Sequence, residues 1–273
     1  MRLRGLADTT MRERAYAVRR LARHLDVEVG ELLAATEDDL DRWQYEIAHL
    51  TARYRSSWLA HISRFYAWAH SERLIRANPA VVLLAPKLPR LVPHPIGEAD
   101  LEMAVACAPK RVRPMLVLAA YAGLRAGEIA RLQRQHVMDT DDPAVVLVEG
   151  KGGRERIVPL SSLVLAELRL AGMPSRGYVL SRRDGKAGGL EPHMVSKLCN
   201  DYLHGLGINE TLHSLRHRMG TVLYRSTRDL RLVQEVLGHS SPAVTAGYAA
   251  HSPTAAVAAV EAICQPALSV VVQ

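Results

Sequence analysis

The residues best suited to chemistry lie in the last third of the chain, from His213 to Tyr248. His213 and Arg216 are three residues apart in a helical pattern, so their side chains share one face. Gly238 and His239 stand together where a helix is expected to end, and the isolated Tyr248 follows. An arginine, two imidazoles and a phenol hydroxyl can together bind a phosphate and attack it. The stretch predicts phosphate chemistry, although each residue taken alone has an ordinary structural explanation.

A zinc site is the alternative for the histidine pair. His213 and His217 have the i, i+4 spacing of the two histidines on a zinc-protease helix. That motif has a glutamate directly after the first histidine to act as general base, whereas Ser214 stands there in this chain. The cationic Arg216 also lies between the two would-be ligands. The residue types therefore favour a phosphate site over a metal site, and we expect no metal.

A second arginine is flanked by glycines. Arg125 lies in the run Ala-Gly-Leu-Arg-Ala-Gly-Glu-Ile, which ends an apolar helix and begins another. The turn places Arg125 at a helix N-terminus, where backbone N–H groups already favour an anion. Glu128 follows within the first helical turn, where it suits the helix dipole and can fix the arginine side chain. Arg125 is predicted to be positioned for a ligand.

A lysine occupies the tip of a predicted β-hairpin. Two strand-like runs, 144–149 and 154–160, flank Gly-Lys-Gly-Gly, a connection typical of a hairpin. Lys151 could reach from this tip into a neighbouring site, or it could be a solvated turn lysine. Residues 177–181 are expected to add one more short strand.

Composition indicates a globular protein with an anionic partner. The chain has 273 residues, 48% of them hydrophobic, and a formal net charge of +7. Such a charge attracts phosphate backbones. Its three cysteines are widely spaced, which predicts neither a disulfide framework nor a zinc ribbon. With no apolar run of membrane-spanning length, the sequence predicts a soluble protein of a reducing cytoplasm.

The first part of the chain, residues 1–85, is predicted to be a helical bundle. Thr36-Glu37-Asp38-Asp39 has the pattern of a capping box at the start of a helix. A later helix over 51–70 carries aromatic residues at core spacing. Three arginines are interleaved with those aromatics and are candidate contacts to DNA phosphates: Arg53, Arg55 and Arg64.

A proline-rich linker, residues 86–95, separates the bundle from a second domain at 96–273. Its four prolines prevent a regular helix, and its basic residues Lys87 and Arg90 are further candidate DNA contacts. Helices dominate the second domain, with a small sheet at one edge. The expected fold class is mainly α with a small β-sheet, an α+β catalytic domain beside a helical one.

The order of these features resembles the tyrosine recombinase family, also called phage integrases. The resemblance covers the whole second domain, and the bundle is similar to the family's SAM-like core-binding domain. The matching segments, in the family's order, are Ala122–Ile129, Lys151 in the hairpin, His213–His217, Leu237–Ser241 and Tyr248. Gly220 stands where the family often has alanine.

The resemblance implies covalent catalysis by Tyr248, which would attack the scissile phosphate and form a 3′-phosphotyrosine. Lys151 would be the general acid, and His213 would assist proton transfer from Tyr248. The bond energy kept in the phosphotyrosine allows rejoining, so no cofactor is expected.

The resemblance also implies the phosphate-binding residues. Arg125 and Arg216 would clamp the phosphate bidentately, and His239 would hydrogen-bond it. Glu128 would support Arg125.

By this resemblance, the chain is expected to be a site-specific recombinase acting through a Holliday junction in phage or mobile-element integration and excision. Its partners would be double-stranded attachment or core sites, further copies of itself in a tetrameric synapse, and a directionality factor. The tail 253–273 would either join these copies or fold back on its own domain. We expect a minimal two-domain enzyme without an arm-binding domain, acting at the nucleoid in a bacterial cytoplasm. The alternatives are Xer-like chromosome or plasmid resolution, relaxation of DNA like a type IB topoisomerase, and a non-catalytic DNA-binding regulator.

Overall fold

The structure is a computed structural model, and it describes residues 8–88, 94–150, 153–182 and 188–238. Several residues with predicted roles lie outside these ranges, namely Arg90, Lys151, His239, Tyr248 and the tail 253–273. The chain forms two compact units, Met1–Leu91 and Val92–Gln273. Their boundary falls within the predicted linker.

The first unit is helical throughout its described part. Its α-helices are α1 (Asp8–His24), α2 (Glu37–Glu46) and α3 (Ala52–Ser71), and short 3-10 helices lie at Glu31–Ala34, Ile47–His49 and Pro79–Val82. The predicted capping box is confirmed at the start of α2. The Asp39 amide donates to the Thr36 hydroxyl at 3.2 Å, and the Thr36 amide donates to the Asp39 carboxylate at 2.9 Å.

The core of the first unit forms where α3 packs against α1, and the 3-10 helix Pro79–Val82 contacts both α2 and α3. Leu21, Trp43, Ile62 and Tyr66 are fully buried, and burial of each large side chain contributes about 2 kcal/mol. The Tyr66 hydroxyl donates to the Leu32 carbonyl at 2.9 Å, which satisfies the one polar atom of this buried ring. Trp58 and Phe65 of α3 pack at the margin of this core beside the buried Tyr66, as their helical spacing predicts, whereas Tyr54 is 63% exposed.

The second unit is mainly helical with a small sheet. Its α-helices are α4 (Glu98–Ala106), α5 (Arg113–Tyr121), α6 (Ala126–Arg131), α7 (Ser162–Leu170), α8 (Pro192–Gly205), α9 (Leu212–Thr227) and α10 (Leu230–Leu237). Its strands are β1 (Val137–Met138), β2 (Val145–Glu149) and β3 (Glu155–Pro159), and a 3-10 helix lies at Arg134–His136.

The helix α5 forms the centre of the second unit. It is apolar on every side from Pro114 to Ala120, so it is buried all round, as such a helix must be. It packs against α9 on one side and α7 on another. Because α5 leads directly into the turn before Arg125, and α9 carries His213 and Arg216, this packing brings the two predicted arginine segments together.

The sheet is antiparallel in the order β1, β2, β3, with Val148 opposite Arg156 near the hairpin tip. The predicted strand at 177–181 is wrong. That segment makes isolated bridges, Gln133 with Tyr178 and Ser181 with Gly189, while β1 supplies the third strand. Gly177 has a φ of 84°, outside the extended region that a strand requires. The predicted fold class, mainly α with a small sheet, is confirmed.

Within the described ranges, no helix is long and apolar enough to cross a membrane.

Candidate active site

The turn between α5 and α6 presents Arg125, and Gly123 makes that turn possible. Gly123 has a φ of 64°, and a Cβ atom on it would lie 2.5 Å from the Leu237 side chain. Only glycine allows α10 to approach so closely. Arg125 then occupies the N-cap position of α6 in extended geometry, with its side chain 39% exposed.

Glu128 holds Arg125 in two ways. Its carboxylate accepts the Arg125 backbone N–H at 2.8 Å, and its other oxygen accepts the Arg125 Nη1 group at 2.8 Å. A second anchor comes from the end of α10, where the Gly238 carbonyl accepts Arg125 Nη2 at 3.0 Å. The guanidinium is thus fixed at two points while part of it stays exposed.

Arg216 lies beneath this turn, with its side chain 2% exposed. It donates hydrogen bonds to the carbonyls of Gly123 and Leu237, which belong to the turn before Arg125 and to the end of α10. Its Nη1 atom is 3.7 Å from the Glu128 carboxylate. Arg216 therefore connects the elements that present Arg125 and brings a second positive charge to the same place.

A third arginine, Arg156 on β3, was not singled out by the sequence. Its Nη1 and Nη2 groups donate to the two oxygens of Glu128 at 2.8 and 2.9 Å. Its Nε donates to the Val236 carbonyl at 2.8 Å. Alternation along the predicted strand could have indicated it, because Arg156 lies two residues from the buried Val158 and points to the same face of β3. An inward arginine on a strand needs a buried partner.

The charge of Glu128 is central to the cluster. Burial by itself raises the pKa of this carboxyl, but the Arg156 hydrogen bonds, the Arg125 amide and the charges of Arg156 and Arg216 together lower the pKa to about 2. Glu128 is therefore ionised at neutral pH. One carboxylate then faces three guanidinium groups, so the cluster carries an excess of positive charge that an added phosphate would balance.

His213 and His217 lie one turn apart at the start of α9. Their ring centroids are 4.3 Å apart in an edge-to-face arrangement. Partial burial lowers the pKa of His213, and the charges of Arg216 and Arg125 lower it further. The pKa of His217 is lowered to about 4, first by burial and then by the charges of His213, Arg216 and His94. Both imidazoles are thus favoured as neutral groups, able to accept or share a proton.

The start of α9 is fixed by α8. The Leu212 amide donates to the Asn200 side chain at 2.9 Å, and the Thr211 amide donates to Ser214 Oγ at 3.4 Å.

In the described parts of the chain, no group of three or more His, Cys, Asp or Glu side chains is arranged to hold a metal ion.

Three predicted site residues lie outside the described residues, although their neighbours are described. Lys151 follows Gly150, whose amide donates to the Arg154 carbonyl at 2.6 Å as the hairpin closes. His239 follows Gly238, which ends α10 in the left-handed conformation with a φ of 62°. Tyr248 lies further along the chain. The structure therefore brings together Arg125, Arg216, Glu128 and His213, and the other three positions remain predictions.

The candidate DNA contacts of the first unit differ in their exposure. Arg53 and Arg64 are exposed on α3, and their spacing of eleven residues is about three turns, so they share one face. Arg55 is half-buried, and its Nε has no hydrogen-bond partner among the described residues. Lys87 is exposed. The basic surface on α3 thus comprises Arg53 and Arg64, with Arg55 on a different face.

Comparison with known families finds one matching sequence family. Residues 97–254 match the Phage integrase family. The tyrosine recombinase XerD of Ralstonia nicotianae is 31% identical over 238 residues, covering 82% of this chain and 74% of that protein. The tyrosine recombinase XerC of Chromobacterium violaceum is 31% identical over 220 residues, covering 73% of this chain and 68% of that protein.

Solved structures share the architecture. The Tn1549 transposon integrase in complex with transposon right end DNA has a TM-score of 0.73 at 17% identity, covering 96% of each chain. A lambda integrase dimer bound to a COC′ core site has a TM-score of 0.71 at 19% identity, covering 90% of this chain and 89% of that one. At these identities the likeness establishes the fold.

Proposed function

We propose, since this chain belongs to the phage integrase family of tyrosine recombinases, that it cuts and rejoins DNA through a 3′-phosphotyrosine on Tyr248. The chain is a site-specific recombinase, and its own residues carry out the cleavage and rejoining. The observation that carries it is the cluster in which Glu128 faces Arg125, Arg156 and Arg216.

The reaction needs charge stabilisation more than any other contribution. When the Tyr248 oxygen attacks the phosphorus, negative charge builds up on the equatorial oxygens of the phosphate. Arg125 meets that charge with a guanidinium that is already oriented by Glu128 and the Gly238 carbonyl. Arg216 adds its charge from a buried position, where low dielectric strengthens the interaction. Preorganised cations cost no reorganisation during the reaction.

The proton transfers complete the cleavage. Tyr248 loses its proton with the help of His213, whose lowered pKa favours the neutral imidazole required of an acceptor. The new P–O bond to Tyr248 forms as the bond to the 5′ oxygen breaks, and Lys151 protonates that leaving oxygen. His239 hydrogen-bonds the phosphate. Attack by a 5′-hydroxyl of the other duplex reverses these steps, releases Tyr248 and leads through a Holliday junction.

The first unit is proposed to be the core-binding domain, spanning 1–85 and joined by the linker 86–95 to a catalytic domain at 96–273. Exposed arginines on a helix suit phosphate contacts, which fix a protein on the duplex without reading its sequence. The proposed contacts are Arg53, Arg55, Arg64, Lys87 and Arg90. Arg53 and Arg64 are the strongest among them because both are exposed on one face of α3.

Two biological roles follow from the same chemistry. We propose integration and excision of a phage or other mobile element, with Xer-like resolution of chromosomes or plasmids as the second candidate. The second is favoured by one observation, since relatives that are 31% identical are the Xer recombinases XerD and XerC. Two plasmids separate the roles. One carries two identical recombination sites as direct repeats, and the other carries two different attachment sites. Resolution requires recombination of the identical pair, and integration requires recombination of the different pair.

The chemistry is tested with a nicked suicide duplex that contains the protein's attachment site. Wild-type protein should form a covalent adduct that survives SDS, and Tyr248→Phe should bind the same duplex without forming it. On a supercoiled plasmid that contains the same site, loss of supercoils without exchange between two duplexes would instead indicate a topoisomerase. Specific binding with no adduct would indicate a regulator.

A further inference from the structure

We infer that Arg156 is a positioning residue that holds Arg125 in place by fixing both of its anchors. The inference deepens the proposed function and rests on it for its kinetic test. Arg125 Nη1 donates to Glu128 and Arg125 Nη2 donates to the Gly238 carbonyl. Arg156 contacts Glu128 directly and lies against the turn that contains Gly238.

The first anchor depends on Arg156 for its orientation. Each Glu128 oxygen accepts one hydrogen bond from Arg125 and one from Arg156, all between 2.8 and 2.9 Å. The fork of Arg156 spans both oxygens, so it fixes the plane of the carboxylate as well as its distance. A single ammonium group cannot do so. Without the fork, Glu128 could rotate, and the Nη1 group of Arg125 would move with it.

The second anchor depends on the same side chain. Arg156 Nε donates to the Val236 carbonyl at 2.8 Å, two residues before Gly238. A Cβ atom on Gly238 would lie 2.9 Å from Arg156 Cδ and 3.0 Å from its Nη1, so the side chain runs directly over this glycine. Arg156 thereby holds the end of α10 at the distance from which the Gly238 carbonyl reaches Arg125.

Arg156 itself is not placed to bind substrate. Its side chain is 11% exposed, and all three of its nitrogens already donate hydrogen bonds within the protein. Because Arg156 lies on β3, its hydrogen bonds to Glu128 and to the Val236 carbonyl also connect the β2–β3 hairpin to α6 and α10. The hairpin therefore has two possible contributions, through Arg125 or through the general acid, and the test must separate them.

The test uses Arg156→Lys, which keeps the charge but loses the fork. In single-turnover cleavage of the suicide duplex by the full-length protein, we expect a rate about 100-fold below wild type, the scale of a misplacement near 1 Å. Affinity for the duplex should stay near the wild-type value, and the thermal midpoint should fall only slightly, because the lysine keeps a positive charge beside Glu128. Arg169→Lys is the matched control, since Arg169 is 59% exposed and, among the described residues, makes one ion pair, at 3.5 Å with Asp139. It should cleave at the wild-type rate.

Two further measurements identify the route. A duplex with sulfur in place of the 5′ bridging oxygen has a leaving group that needs no general acid. Arg156→Lys should stay slow on it, whereas Lys151→Ala should recover. The double variant Arg156→Lys with Glu128→Gln should be no slower than the slower single variant, because both changes break one chain of contacts.

The inference is overturned if Arg156→Lys cleaves at the wild-type rate, if sulfur restores its rate, or if the two rate losses multiply. A fall in DNA affinity comparable to the fall in rate, together with a large fall in the thermal midpoint, would also overturn the inference. Such a result indicates a general structural role for Arg156. Should wild-type protein form no adduct on DNA it binds, the proposed function fails, and the crystal structure of full-length Arg156→Lys decides the inference alone. A displaced Arg125 guanidinium supports positioning, and an unmoved one rejects it.

Discussion

Arg216 donates a hydrogen bond to the carbonyl of Gly123, two residues before Arg125. The second arginine of the site is therefore part of the support for the turn that presents the first. A second hydrogen bond from Arg216, to the Leu237 carbonyl, reaches the residue whose side chain packs against Gly123. The two arginines therefore have different roles. Arg125 is exposed enough to contact a ligand, whereas Arg216 supplies a positive charge and also stabilises the turn.

We expect Arg125→Ala and Arg216→Ala both to lose cleavage, by about 1000-fold or more, since each removes a preorganised cation. Only Arg216→Ala should also destabilise the fold, because it leaves the Gly123 and Leu237 carbonyls without this buried donor and removes one of the positive charges beside Glu128. Adduct formation measures cleavage, thermal unfolding measures stability, and DNA affinity shows that each variant still binds the duplex. Arg131→Ala, an exposed arginine on the same helix as Arg125, is the control. Normal cleavage by Arg125→Ala would remove that residue from the site.

Gly123→Ala should destabilise the protein more than Gly172→Ala does. Both glycines have positive φ, 64° and 86°, so each substitution carries a backbone penalty of about 1–2 kcal/mol. Only at Gly123 would the new Cβ also meet a side chain, Leu237 at 2.5 Å, whereas no atom lies within 4 Å at Gly172. Urea unfolding of the two variants compares the free energies of unfolding. Equal losses would show that α10 does not pack closely on this turn.

Glu128→Gln should reduce stability at neutral pH, with a smaller effect in acid. The pKa of Glu128 is about 2 in the folded protein against an ordinary value of 4.5, so its ionised form stabilises the fold fully above pH 4.5. This stabilisation, about 3 kcal/mol, is lost as the pH falls towards 2. The difference in unfolding free energy between wild type and variant should therefore narrow from pH 5 to pH 2. Glu155→Gln, at an exposed carboxylate on β3, is the control.

The imidazole of His213 should titrate below its ordinary value of 6.5 in the free protein. Arg125→Ala removes one of the charges that lower this pKa, so the pKa should rise towards 6.5, while Arg131→Ala should leave it unchanged. Binding of a DNA phosphate should raise it as well, since a nearby anion favours the protonated ring. NMR titration of the ring C–H signals measures each value. A wild-type pKa at or above 6.5 would contradict the crowding of positive charge around His213.

Arg53→Ala and Arg64→Ala should each weaken DNA binding and reduce the slope of log affinity against log salt by about 1. The physical reason is the release of one counterion per phosphate contact, and both arginines are exposed on the same face of α3. Arg42→Ala, at an exposed arginine on α2, changes the charge equally and should leave the slope unchanged. Equal slopes for all three variants and the wild type would show that the duplex does not contact this face of α3.

Short-range features of this chain could be predicted because their causes are local. The capping box at Thr36 and the core spacing of α3 follow from residue types a few positions apart. The predicted strand at 177–181 fails for the opposite reason. Whether a short β-prone segment joins a sheet depends on which backbone it meets, and β2 pairs with Val137–Met138 instead.

The sequence by itself determined the family, the order of the reactive residues and the helical positions of Arg125, Glu128, His213 and Arg216, since these depend on residue type and spacing. The tertiary structure alone decided which of them are exposed and what holds them. It placed Arg216 beneath the turn and brought Arg156 from β3 to Glu128, 28 positions away in the chain. Hydrogen bonds over such separations form only after the chain has folded, so no local pattern encodes them.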